Sequence, residues 1–160
     1  MWVQDRQDAK RRIRINTRFL RRVGAGTLTA VGPKGAACTL MLVSDSRMAA
    51  LNRAFCGVEQ PTDVLAFPAG DAPPGLPPPD GTYLGDLAIS VETARRQAAR
   101  RGHPLEREAA LLLIHGILHL VGYDHRTPAG RRLMWRRQAG LLRAQCGPPR
   151  AAARRAPRRP

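Results

Sequence analysis

A chain of 160 residues is long enough for one compact domain with a real core, and 43% hydrophobic residues exclude disorder by composition. Aromatic residues are only 4%, so Leu, Val, Ile and Ala must build most of that core. Lys and Arg number 27 against 12 Asp and Glu, a formal charge of +15, and the body stays basic when the five Arg of the last eleven residues are set aside. A field of that sign favours a polyanionic partner, with nucleic acid ahead of an acidic membrane surface. Cys38, Cys56 and Cys146 are odd in number with no close pair, which excludes a disulfide framework or a Cys-x-x-Cys knuckle and suits a reducing cytoplasm. The charged start (Asp5, Arg6, Asp8, Lys10) has no apolar signal-peptide core. The longest apolar stretch, Ala109 to Val121, is too short for a bilayer and reads as a buried helix.

In chain order, residues from about Asp8 to Val23 read as a basic helix that Gly24 and Gly26 stop. Thr27–Val31 and Cys38–Val43 read as a hairpin around the turn Gly32-Pro33-Lys34-Gly35. Ser44, Asp45 and Ser46 can cap a helix through Met48, Leu51 and Phe55, which Gly57 ends. Pro61–Phe67 is extended. Pro68 to Gly81 holds six prolines and three glycines and reads as a loop, either a surface excursion or a lid. Tyr83–Val91 is a strand and Glu92–Arg101 a helix closed by Gly102.

Pro104 opens the next helix at its first position, with Glu106 and Glu108 in the first turn favourable to the helix dipole. That helix runs to about Val121, and Gly122 supplies a left-handed residue to end it. Pro128–Gln145 forms the last helix, with Leu133, Met134, Leu141 and Leu142 inward. The expected organisation is one domain over residues 1–147 and a disordered Arg/Pro-rich tail over 148–160. The fold class is α+β, a mixed β-sheet of about four strands packed with helices.

The informative segment is HGILHLVGYDH, His115 to His125. His115 and His119 stand four apart on a helix, so both imidazoles can reach one ion. Gly122 breaks the helix, and the returning chain brings His125 to the same point. This is the H-x-x-x-H-x-x-G-x-x-H spacing of metzincin zinc proteases. Three neutral nitrogens suit one Zn2+ per chain and leave a fourth position for water, the mark of a catalytic rather than a structural site. The proteases carry Glu after the first His as general base. Here that position is Gly116. His103 has no place in the ligand pattern and reads as a cap or surface residue.

Four blocks in order, VSDSRMAALNRAF, PTDVLAFP, LGDLAIS and HGILHLVGYDH, resemble the YbeY endoribonucleases, bacterial factors of ribosomal RNA maturation and ribosome quality control. The resemblance runs from about Thr39 to Leu142. It implies a metzincin-like three-histidine zinc site on His115, His119 and His125. It also implies cytoplasmic location and single-strand-specific cleavage in 16S rRNA 3′-end maturation on the small ribosomal subunit. A ribosomal protein and a ribosome-associated GTPase are the partners it implies, and no membrane. The family usually has Arg where this chain has Cys56, a basic residue where it has Gln60, and often Ser where it has Ala66. A guanidinium there can hold a phosphate or stabilise developing charge, which a thiol cannot. Either Arg53, one turn earlier, replaces it or cleavage is weak; Cys56 as a fourth metal ligand is a further option, behind Cys56 as a plain half-buried residue.

Asp63 and Asp86 are candidates for orienting histidines or assisting proton transfer, with strand-end and turn roles as alternatives. Asp124 can cap the turn before His125. Arg95, Arg96, Arg100 and Arg101 form a candidate phosphate track. The leading reading is a zinc-dependent endoribonuclease. The second is a ribosome-assembly binding protein with a mainly structural zinc. The third, a metalloprotease, is weakened by Gly116.

Overall fold

The computed structural model describes residues 1–8, 12–71 and 83–148. Four strands, β1 (Trp2–Arg6), β2 (Ala37–Val43), β3 (Val64–Pro68) and β4 (Tyr83–Ser90), form a mixed sheet in the order β1-β2-β4-β3. β1, β2 and β4 run parallel and β3 pairs antiparallel to β4 at the edge. The helices are α1 (Thr17–Val31), α2 (Asp45–Cys56), α3 (Val91–Arg101), α4 (Leu105–Leu120) and α5 (Pro128–Cys146). The expected mixed sheet packed with helices is the observed architecture.

Side-chain alternation sorts the sheet into two faces. Leu40, Leu42, Leu87 and Ile89 belong to the main core with α1, α4 and α5 residues such as Leu20, Leu113, Ile117 and Met134. Val43 and Ala88, on the opposite face, make a second, smaller core with Met48 of α2, flanked by Leu51, Leu65 and Phe67. α4 is the pivot. Nine of its residues are buried, and it packs on α1, α3, α5, β3 and β4.

The N-terminal part departs from the sequence reading. The helix begins at Thr17, where Asn16 caps the Phe19 amide at 2.9 Å, and runs through Gly24 and Gly26 to Val31. Thr27–Val31 is therefore helix, and the expected hairpin does not exist. The sheet's extra strand is β1, which the charged start concealed. A mid-helix glycine costs about 1 kcal/mol against alanine, and tertiary contacts override it. A Cβ on Gly24 would lie 2.0 Å from Met1 Sδ, and one on Gly26 would lie 2.4 Å from Gln145 Oε1. The two glycines make room on α1 for the side chains of Met1 and Gln145. Among the described residues before Thr17 none is helical. Gln7 there bonds both backbone groups of Ile13, at 2.9 and 3.0 Å.

The middle of the chain follows its signals. Ser44 caps α2 by accepting from the Arg47 amide, and Gly57 closes it at φ 70°. Asp45 ties α2 to α3 by accepting from Ser90, Thr93 (2.7 Å) and Arg96 (2.7 Å), while its amide donates to Glu92 at 2.7 Å. Burial would raise the Asp45 pKa, but these hydrogen bonds hold it below the ordinary carboxylate range. Of the proline-rich loop, Ala69–Asp71 is one 3-10 turn; a lid over 72–82, like the tail beyond 148, lies outside the described residues.

Two details of the C-terminal half also change. Pro104 is the cap residue and Leu105 the first helical one. Leu133 is 47% exposed rather than inward, whereas Met134, Leu141 and Leu142 are buried. No helix among the described residues is long and apolar enough to cross a membrane.

Candidate metal centre

His115 and His119 stand one turn apart near the C-terminal end of α4. The helix closes in a Schellman turn. The Tyr123 amide donates to Leu118 O and the Gly122 amide to His119 O, both at 2.9 Å, with Gly122 at φ 91°. A side chain at that φ would be strained, so glycine makes the sharp return possible. Asp124 then accepts from the Arg126 amide at 2.8 Å and pairs with its guanidinium, which holds the carboxyl pKa below its ordinary value. Thr127 caps α5 by accepting from the Gly130 amide at 3.0 Å. A Cβ on Gly130 would fall 2.5 Å from Asp124 O, so the first turn of α5 packs tightly on this loop. His125 is thus clamped between the end of one helix and the start of the next.

The three imidazoles converge. Their ligand nitrogens all lie within 4.8 Å of one another. His115 Nε2 and His119 Nε2 are 3.2 Å apart. Two nitrogens each about 2.05 Å from a tetrahedral ion stand about 3.3 Å apart, so this pair needs almost no movement. Burial, then the neighbouring His115 and His125, lowers the His119 pKa and favours the neutral ring that a metal requires. His125 is exposed, which leaves the cluster accessible from solvent.

Gln138 of α5 orients the first ligand. Its Oε1 lies 2.9 Å from His115 Nδ1. With that nitrogen donating, the lone pair is on Nε2, which points to the cluster. Sequence reasoning missed this residue. The available signal was a polar side chain on the same inward stripe as Met134, Leu141 and Leu142, where a polar group needs a partner.

Asp63 and Asp86, the candidates for that role, have other partners. Asp63 accepts from the Val64 amide at 2.8 Å and from Gln97 Nε2 at 3.0 Å, bracing the start of β3 against α3. Asp86 alternates with Leu87 and points away from the α4 face; it accepts from the Tyr83 hydroxyl at 2.5 Å. Burial and then Asp86 push the Tyr83 pKa up to about 12.

Position 116 belongs to the core. A Cβ there would meet Leu87 Cδ2 at 2.7 Å and Val64 Cγ2 at 3.4 Å. The glycine lets α4 lie close on the sheet, and a glutamate would point into that contact.

Cys56 is exposed rather than half-buried, because it is the last residue of α2, and that helix packs on the opposite face of the sheet. The neighbouring Phe55 ring stacks edge-on with Phe67 of that second core at 4.8 Å. The ligand cluster consists of the three histidines without Cys56. Arg53, exposed, pairs with Glu59 at 3.1 Å.

The α3 arginines divide. Arg96 is taken by Asp45 and Arg101 by Glu108, while Arg95 and Arg100 are exposed. His103 is not a surface residue. Its Nε2 lies 2.7 Å from Glu108 Oε2 and its side chain is 16% exposed. Glu108 is therefore a fully buried partner of Arg101 and His103, rather than only a charge on the helix dipole.

Residues 5–145 match the family model described as Endoribonuclease YbeY. A relative of that description from Anaeromyxobacter sp. (strain Fw109-5) is 42% identical over 132 residues, covering 82% of this chain and 66% of its own length. One from Anaeromyxobacter dehalogenans is 44% identical over 128 residues, covering 80% of this chain and 64% of its own. One from Moorella thermoacetica is 46% identical over 128 residues, 77% of this chain and 82% of its own. The chain thus spans just under two thirds of the Anaeromyxobacter proteins. The solution structure of TM1509 from Thermotoga maritima superposes with a TM-score of 0.59 at 25% identity, over 91% of this chain and 89% of that one. A family match over nearly all the described residues, joined to the mixed sheet and its convergent histidines, makes this chain a member of the YbeY endoribonuclease family.

Proposed function

We propose that this chain is a zinc-dependent endoribonuclease specific for single strands, acting in 16S rRNA 3′-end maturation and ribosome quality control in the cytoplasm. The observation that carries the reading is the convergence of three imidazole nitrogens within 4.8 Å, open to solvent on the His125 side. His115, His119 and His125 would hold the ion. Such an ion supplies Lewis acidity at a phosphodiester and makes hydroxide accessible near neutral pH. Gln138 holds the His115 tautomer, the Gly122 turn presents His125, and a glycine packed on Leu87 stands where a zinc protease carries its glutamate. The basic composition supports a polyanionic substrate, and the small ribosomal subunit, a ribosomal protein and a GTPase are the partners this reading entails.

Purified protein incubated with ribosomal RNA should cleave it, and His115→Ala with His119→Ala should lose both metal and cleavage. Full cleavage by the metal-free double variant would sink the reading. Cys56 and Gln60, both exposed, favour a second one: an assembly factor that binds ribosomal RNA around a mainly structural metal. No guanidinium stands at either position, and Arg53 is engaged with Glu59. Cleavage appearing only in a Cys56→Arg variant would select this second reading; equal cleavage by both proteins would reject it.

A further inference from the structure

We propose that Trp135 is a stacking platform for an unpaired base of RNA beside the histidine cluster, with Arg131 and Arg132 holding the adjoining phosphates. The proposal rests on the nuclease reading above and specifies how its substrate is gripped. Tryptophan is among the largest apolar side chains and is highly buried on average. This chain has only two, and aromatic residues are scarce, yet Trp135 is 60% exposed on α5. The helix buries Met134, Leu141 and Leu142 instead.

The residues around Trp135 suit a nucleic acid. Positions three and four away on a helix are its surface neighbours. Here they are Arg131 and Arg132 before it, and Gln138 and Ala139 after it. The two arginines are exposed, and no ion pair among the described residues engages them. From Pro128 to Cys146 the helix has five Arg and no acidic residue. Ala139 is small and leaves that side of the indole open. Gln138 is the residue that bonds His115. At 1.5 Å per residue, Trp135 stands about 4.5 Å along the axis from it. One helix therefore carries a flat π-surface, two free guanidinium groups and the residue that orients a ligand histidine.

Every base has a π-face, so stacking tolerates any sequence, but a duplex hides those faces. The platform thus selects unpaired RNA, and it places the strand at the cluster without touching the reacting atoms.

The test uses the full chain carrying Trp2→Phe, which leaves Trp135 as the only indole. Oligouridylate of about ten nucleotides should quench its fluorescence, and an RNA duplex of the same length should not. In the otherwise wild-type chain, Trp135→Ala should weaken oligouridylate binding by about 5- to 150-fold, and Trp135→Phe should restore most of it. Arg131→Ala with Arg132→Ala should flatten the slope of log affinity against log salt by about 1.4. In a cleavage assay Trp135→Ala should raise KM and leave kcat unchanged. Unquenched fluorescence, equal quenching by duplex, or wild-type affinity in Trp135→Ala would each overturn the platform; the last two point to a basic patch or a protein contact. If quenching and the affinity loss are found but no RNA is cut, the nuclease reading fails alone. If RNA is cut with KM unchanged in Trp135→Ala, the platform fails alone.

Discussion

The two ends of α4 put histidine to opposite uses. At the N-terminal end, His103 meets Glu108, a carboxylate with no exposed surface, and Arg101 approaches the same group. At the C-terminal end, His115, His119 and His125 meet one another, with no carboxylate in the cluster. The first arrangement sets Arg101 and His103 against a buried carboxylate at the start of the helix. The second turns three nitrogens toward a common point, lowers the His119 pKa through burial and mutual repulsion, and leaves an outer face open. The neighbours, rather than the residue type, decide whether a histidine braces the fold or joins a cluster able to hold a cation.

Either end of α4 can be disabled without the other. The largest expected effect is on metal affinity. His119→Ala should lower it by more than the roughly 10- to 100-fold that losing an outer partner costs, read by competition with a chromogenic zinc chelator. Retention of stoichiometric zinc would remove the cluster from consideration. At the other end, Arg101→Ala combined with His103→Ala leaves Glu108 buried without either partner. A loss of about 3–5 kcal/mol in urea unfolding is expected, with zinc affinity unchanged. A loss below about 1 kcal/mol would mean that the buried carboxylate does not depend on them.

Gln138→Ala sharpens the contrast, because it leaves all three ligands in place. About a 10- to 100-fold loss of zinc affinity is expected, with little change in stability. Unchanged affinity would show that the His115 contact does not orient the ring.

The smallest effect is expected away from both ends. Asp45→Asn weakens the brace between α2 and α3 and should cost about 1 kcal/mol at neutral pH. Because the folded Asp45 pKa lies below the ordinary carboxylate value, its contribution is present above that value and is lost as pH falls through the folded pKa. The wild-type and Asn stability curves should therefore converge in acid. Parallel curves down to the acid transition would refute the hydrogen-bonded carboxylate as their cause.

How much was legible beforehand follows the range of the interactions. The ligand trio could be read because helix periodicity and one left-handed glycine place it within eleven residues. The helix cap at Ser44 is equally local. α1 was misread because its glycines look like breakers until Met1 and Gln145 are seen against them. Asp63 and Asp86 suit the role by residue type, since a carboxylate commonly orients a ligand histidine; Gln138 takes it because α5 folds back onto α4 and brings Gln138 to His115.

Three histidines at metal-binding spacing, a glycine at 116 in place of a glutamate and an excess of basic charge are written in the chain's local order and composition. Tertiary structure alone decided which groups serve that chemistry. It paired Arg96, Arg101 and His103 with carboxylates, aimed Gln138 at His115 and left Trp135 in solvent. Spacing along a helix is written in the chain, whereas a partner across the core exists only once packing has chosen which faces meet.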